Sequence, residues 1–494
     1  MMKKLTFSLL VFLCLCLVSP LAAQDAATPM TAFLAANNAV PCEEFADFSC
    51  VTLQMPLDHF NDTGETIDWV VGVIPASNPA ERRGMFVTSV GGPGVSGLSV
   101  MEWYSSYFYP EVFEYFDIVF FDQRGIGRSE GVRCDAEALA YYLTDPNDRE
   151  GVLAAAEQFT NDCIAAIDRP DLLPYLGTTQ AVEDLEAFRA AVGDEQFWLY
   201  GESYGTQFTQ TYAERYADHL GGMILDGVVD LTLTSPEYYV GQDLAFFNAL
   251  EASLRACMFD EECAGDFPDG DPYPVYFGLE EQLANAPIEV EFTTSAGTTE
   301  TRELTAAMLS AALSAAMYGE PDRGWFLSGL AAAANGDTLP LLEQAYDSLA
   351  MDYDTLEAVS DPSWSDSSFY AIECSDYEYS MENSDPACYF WNQAVPVAAA
   401  ERPAPLTVDV PTLILNSTLD PATPIINAFA VASRLPNVWM ITTSGGYHVM
   451  YGRGGTCPDD QVTAFLVDGS VPEQYHTVCA GNVYTDYVPF GSGG

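Results

Sequence analysis

Apolar positions recur along this chain in two rhythms. Short runs rich in β-branched and aromatic residues predict strands at Thr66 to Ile74, Met85 to Val90, Asp117 to Phe121, Phe197 to Tyr200, Met223 to Leu225, Thr412 to Leu415 and Val438 to Thr442. Between them the spacing turns helical: Thr179 to Ala191 brings Val182, Leu185, Phe188 and Ala191 onto one face. Strands alternating with helices predict an α/β fold, a mostly parallel central sheet covered on both faces. From about Leu231 to Pro405 the pattern changes to alanine-rich helices, including Leu304 to Ala316 and Trp325 to Ala334, broken by acidic turns such as Asp266-Phe267-Pro268-Asp269-Gly270. This predicts a helical insertion, and Arg402-Pro403-Ala404-Pro405 reads as the hinge back to the sheet, because proline discourages continuation of a helix.

The chain begins Met1-Met2-Lys3-Lys4, continues apolar from Leu5 to Val18, and reaches small residues at Ala22-Ala23 before Gln24-Asp25. That order is an export signal, and the apolar run is shorter than the ~20 residues that span a bilayer, so no stable membrane insertion is expected. The expected organisation is a signal peptide over 1–23, a sheet-building part over 24–230, a helical cap insertion over 231–405 and a second sheet-building part over 406–494. A secreted or periplasmic location puts the ten remaining cysteines in an oxidising compartment. Consecutive cysteines bracket short, turn-rich stretches, which suggests pairing between neighbours. A metal site is disfavoured, because no C-x-x-C pair occurs and only four histidines are present.

The formal charge is −55, and both lysines lie in the signal, so arginine is the only fixed cation of the mature chain. Nucleic acid is excluded as a natural partner by that charge. A surface so acidic stays soluble in brine, where its self-repulsion is screened.

Catalytic chemistry centres on Gly201-Glu202-Ser203-Tyr204-Gly205, which follows the apolar run Phe197 to Tyr200 and opens a helical stretch from Thr206 to Tyr216. Glycines two residues to either side allow strand and helix to approach closely, and the sharp turn lifts the Ser203 hydroxyl above the sheet edge. A serine hydroxyl needs a base. His448 follows the strand at Val438 to Thr442 through Ser444-Gly445-Gly446-Tyr447, whereas His59, His219 and His476 read as capping or surface residues. Asp420, in the loop leaving Thr412 to Leu415, would hold the imidazole; Asp226, at the end of an earlier strand, is its rival. The oxyanion would be met by the backbone N–H of Tyr204 and by a glycine of Gly91-Gly92-Pro93-Gly94, with Gly92 the expected donor. No cofactor is expected: hydride chemistry lacks its G-x-G-x-x-G.

The run Gly91-Gly92-Pro93-Gly94, the segment Asp122-Gln123-Arg124-Gly125-Ile126-Gly127-Arg128-Ser129, the elbow at Ser203 and the stretch from Leu419-Asp420-Pro421-Ala422-Thr423-Pro424 to His448 resemble the proline iminopeptidase and tripeptidyl aminopeptidase family of secreted hydrolases. The tail from Cys457 to Cys479 is similar to that family's C-terminal region. The resemblance implies an α/β-hydrolase fold with a helical cap, acting on peptide substrates with a free N-terminus. The chain departs from the family at Val90, where many relatives carry His or Pro, and at Glu202, where smaller residues are common. An aminopeptidase needs an anion for the substrate's α-ammonium; Glu373 and Asp376, flanking Cys374, are the candidates, with Glu202 as a further carboxylate beside the nucleophile. The same fold and triad would serve an esterase or other acyl hydrolase, or an inactive binding module.

Overall fold

The structure, a computed structural model, describes residues 27–194, 196–379, 385–397 and 405–491. The signal assigned to 1–23 and residues 402–404 of the hinge lie outside them.

Ten strands build one sheet: β1 Val40–Pro41, β2 Ser49–Pro56, β3 Thr66–Ile74, β4 Gly84–Ser89, β5 Phe116–Phe121, β6 Phe197–Glu202, β7 Leu220–Asp226, then, after a separate hairpin of β8 Ile288–Thr293 and β9 Thr299–Leu304, β10 Thr412–Ser417, β11 Val438–Ser444 and β12 His476–Ala480. Their order is β1-β2-β3-β5-β4-β6-β7-β10-β11-β12. Pairing is antiparallel from β1 to β5 and parallel from there to β12. The central strands β4, β5 and β10 are buried along their whole length. This is why they read as continuous apolar runs rather than as alternation.

Two apolar layers cover the sheet. One gathers Val87, Val119, Leu199, Leu225 and Ile414 with Leu185, Phe188 and Phe208 from helices Thr178–Val192 and Tyr204–Tyr216. The other gathers Phe86, Phe120, Tyr200, Ile224 and Ile441 with Leu98 and Met101 of helix Gly97–Tyr107 and Phe465 of helix Thr456–Asp468. Because the parallel strands β5, β4, β6, β7, β10 and β11 all end at the same edge of the sheet, the loops that follow them are brought together by topology.

The insertion departs from its expected form in two ways. It is not wholly helical: β8 and β9 pair antiparallel, their residues Val290 and Phe292 buried and their neighbours exposed. Nor is it one unit. Residues from Ala249 to Met351 share a core of their own, whereas Tyr370, Cys374, Cys388 and Trp391 join the layer that covers the sheet. Five disulfides link neighbours in sequence: Cys42–Cys50, Cys134–Cys163, Cys257–Cys263, Cys374–Cys388 and Cys457–Cys479.

Candidate active site

Ser203 stands between β6 and helix Tyr204–Tyr216 with φ 53° and ψ −124°, backbone angles that cost an L-residue energy and persist because the surroundings enforce them. The enforcing contacts are close. A Cβ on Gly205 would fall 2.0 Å from Ser89 O, so only glycine lets helix and strand meet here. A Cβ on Gly91 would fall 3.4 Å from Ser203 Oγ, which puts the Gly91-Gly92 loop directly over the nucleophile.

Asp420 and His448 leave the neighbouring strands β10 and β11, and His448 Nδ1–H donates to Asp420 Oδ1 at 2.9 Å. Asp420 is buried and also accepts from Ala422 N (3.1 Å), Thr423 N (2.8 Å), Thr423 Oγ1 (2.9 Å) and Asn416 Nδ2 (3.1 Å). Four donors besides the ring fix its rotamer. Burial would lower the His448 pKa, but the charge and hydrogen bond of Asp420, with Glu202 and Asp226 behind, outweigh it and raise it above the ordinary value.

Asp226, the rival for the role of Asp420, does different work. Its main-chain oxygen accepts from Ser203 N at 2.8 Å. Its carboxylate accepts from Met450 N at 2.9 Å and Tyr451 N at 2.7 Å, just past His448. One residue thus ties the nucleophile's turn to the base's loop. Among the described residues no hydrogen bond joins Ser203 Oγ to the imidazole, a bond that in unliganded hydrolases commonly tighten only with substrate. Burial, opposed by these amides and reinforced by Glu202, raises Asp226 to about 6.

Glu202, beside Ser203, is not open to solvent. It is buried, accepts from the Tyr104 hydroxyl, and lies 3.5 Å from Tyr200 Oη. The Gly91 N–H is directed at it as well. Tyr204 N–H, first in its helix, has no intrahelical acceptor by position. Glu202, expected as a further candidate for the substrate ammonium, is instead a buried carboxylate engaged by Tyr104 and the Gly91 N–H.

The two cap carboxylates also separate. Asp376 is consumed by internal donors, Thr178 N at 3.0 Å, the Thr178 hydroxyl and Gln207 Nε2 at 2.8 Å. Glu373 instead lies in a tyrosine cage: Tyr379 Oη (2.7 Å) and Tyr239 Oη (3.1 Å) both donate to Oε1, and Oε2 has no hydrogen-bond partner among the described residues. Burial, opposed by these hydroxyls, raises Glu373 to about 7. The cage is joined to the Asp420 loop: Tyr238, ring to ring with Tyr239 at 5.5 Å, belongs to a helix whose Gln242 Nε2 donates to Ala422 O at 2.6 Å.

Sequence reasoning missed the clamps on these loops. His448 N donates to Tyr318 O at 2.8 Å, and the Tyr318 ring meets the imidazole edge-on at 5.2 Å. Buried Arg323 donates to Val483 O (2.6 Å), Met317 O (2.8 Å) and Gly446 O. Trp364 lies against Gly92. The other histidines are engaged elsewhere: His59 with Asp184 at 2.7 Å, His219 with Glu186 at 3.1 Å and His476 with Thr442 at 2.8 Å.

Comparison with known proteins agrees with this fold. Residues 90–251 match a family described as alpha/beta hydrolase fold, and residues 376–479 one described as TAP-like protein. Serine protease Hip1 of Mycobacterium tuberculosis is 28% identical over 461 residues, covering 86% of each chain. Carboxylesterase B of the same species is 27% identical over 477 residues, covering 87% of this chain and 88% of its own. Tripeptidyl aminopeptidase of Streptomyces lividans is 25% identical over 458 residues, covering 85% and 81%.

Proposed function

Since the chain belongs to the α/β-hydrolase serine peptidase family, we propose that it is an exported aminopeptidase that releases tripeptides or proline from free peptide N-termini through an acyl-enzyme. Ser203 Oγ attacks the scissile carbonyl while His448 Nε2 takes its proton, and Asp420 stabilises the imidazolium that forms. The N–H groups of Gly92 and Tyr204 receive the developing oxyanion. His448 returns the proton to the leaving amine, and a water activated by the same ring then hydrolyses the ester. Export is supported by the N-terminal pattern of the sequence and by five disulfides.

The observation that carries the aminopeptidase reading is Glu373, a buried carboxylate with one oxygen uncommitted among the described residues, caged by tyrosines beside the Asp420 loop. An ammonium there gains a counter-ion and aromatic faces, and it relieves a buried charge. The test compares free and N-acetylated tripeptide p-nitroanilides: free substrates are expected to react with kcat/KM about 100-fold higher, and Glu373→Gln to remove most of that advantage. The advantage needs Glu373 ionised and the amine protonated. It therefore grows as pH rises through about 7 and declines above the α-amine's pKa of about 8. Equal rates for the two substrates refute an amine site. They would favour the second reading, ester hydrolysis on the same machinery, which the similarity to a protein named Carboxylesterase B supports.

A further inference from the structure

Arginine is scarce in this chain, and carboxylates are everywhere: 17 basic residues face 72 acidic ones. Ten arginines are accordingly engaged. Nine pair with carboxylates, and Arg323 with main-chain oxygens. Arg83, Arg149 and Arg255 are exposed and need no partner. Arg453 is the exception among the described residues. It is half-buried, its Nε is shut off from solvent without a hydrogen-bond partner among the described residues, and its guanidinium carbon lies 4.4 Å over the centroid of the Trp103 ring. The charges of Glu202 and Asp322 act on it, yet neither comes within ion-pair distance.

The surroundings of Arg453 belong to the catalytic elements. It follows His448 by five residues. Trp103 belongs to helix Gly97–Tyr107, which starts just after the Gly91-Gly92 loop. Arg453 lines a cavity of about 250 Å³ with Thr443, Gly446, Tyr447 and Asn482. The acid in that wall, Glu320, already accepts from Asn482 N at 2.9 Å and Nδ2 at 3.0 Å.

We propose that Arg453, laid on Trp103, is a carboxylate-binding subsite on the leaving-group side of the active site, and that it receives the C-terminal carboxylate of a short peptide. The side follows from chemistry: the imidazole protonates the leaving nitrogen, so the leaving group lies toward the loop that carries both His448 and Arg453. A planar guanidinium stacked on an indole keeps its edge free, in the geometry that grips a carboxylate with two parallel hydrogen bonds. In so acidic a protein a half-buried arginine without a carboxylate partner among the described residues also sets where an anion can settle. With an amine site at Glu373, the cleft would then read both ends of its substrate, which restricts it to short peptides. This rests on the aminopeptidase reading only for which end of the peptide faces the cap.

The experiment needs no turnover. Binding of a tetrapeptide to the full chain carrying Ser203→Ala is measured by calorimetry with four ligands: the free peptide, its C-terminal amide, its N-acetyl form, and the amide with aspartate as its last residue. The acid is expected to bind about tenfold or more tightly than the amide. Adding Arg453→Met, which keeps the apolar stem, is expected to erase that difference, and Arg453→Lys to keep part of it. Equal affinity for acid and amide overturns the subsite, as does a preference that survives in the Met variant or the absence of binding by any of the four. Tight binding of the aspartyl amide assigns the carboxylate to a side chain and overturns the C-terminal source. The acetyl arm stands apart: an acetylated acid that binds as well as the free one removes the amine site at Glu373 and leaves Arg453 in place.

Discussion

Asp226 shows how much one side chain can organise. Its oxygens accept the amides of Ser203, Met450 and Tyr451, so the nucleophile and the base are positioned through a residue that touches no substrate. Replacing it by asparagine turns a NH₂ group toward amides that need an acceptor, and buried donors left unpaired cost about 1–3 kcal/mol each. Asp226→Asn is expected to lower kcat at least about tenfold with little change in KM, and to lower stability by about 2–3 kcal/mol. Wild-type turnover in that variant would reduce Asp226 to a space filler. The sequence placed Asp226 at a strand end and made it a competitor for the triad; only the register of β6 against β7, which sets Glu202 opposite Asp226, reveals the different task.

At the level of elements, the cap holds the base in place. Residues Met317 to Arg323 meet the His448 loop at three points, Tyr318 O to His448 N, Arg323 to Gly446 O and the Tyr318 ring to the imidazole. Arg323→Met strips donors from three buried carbonyls. It is expected to lower stability by about 2–4 kcal/mol and to cut kcat, with Arg323→Lys restoring part of both; thermal unfolding and steady-state rates report the two effects. If the variant melts and turns over like wild type, the cap does not position the base. Strand-to-helix alternation and the elbow at Ser203 were legible because they depend on neighbours in sequence. The strands β2 and β12 were not: β2 is half exposed and β12 lies at the sheet's edge, so neither carries the uninterrupted apolar run of a central strand. The hairpin of β8 and β9 was marked by the alternation in Ile288-Glu289-Val290-Glu291-Phe292, which the alanine-rich helices around it masked.

The whole molecule carries its charge at a cost that depends on pH. Burial raises Asp226 and Asp376 to about 6 and Glu373 to about 7, against about 4 in an unfolded chain. The native state therefore holds protons that the unfolded state has released, and the stability this confers is lost as pH rises through 6 to 7. His448, raised above its ordinary value, acts with the same sign. The lowered groups Asp58, Asp171, Glu186, Asp352 and Asp354 act oppositely, but only below the ordinary carboxylate range. Self-repulsion at a net charge of −55 adds to the loss at high pH and is screened by salt. The melting temperature is expected to be higher at pH 5 than at pH 8 in dilute buffer, with about 1 M salt narrowing the gap; a rise from pH 5 to pH 8 would contradict this. Ser203, Asp420 and His448 could be put forward from the sequence because each follows the end of an apolar strand. Their supports could not, since Tyr318, Arg323, Trp364 and the tyrosines around Glu373 are joined to them only by folding.

The central claim is that Ser203 is made nucleophilic by His448 across a sheet edge that gathers distant loops. A fluorophosphonate that forms a covalent adduct with activated serines, mapped by peptide mass spectrometry on the intact protein, tests this most directly. The adduct is expected on Ser203 alone and to vanish in His448→Ala. An adduct on another serine, or one on Ser203 that forms at an undiminished rate without His448, contradicts it.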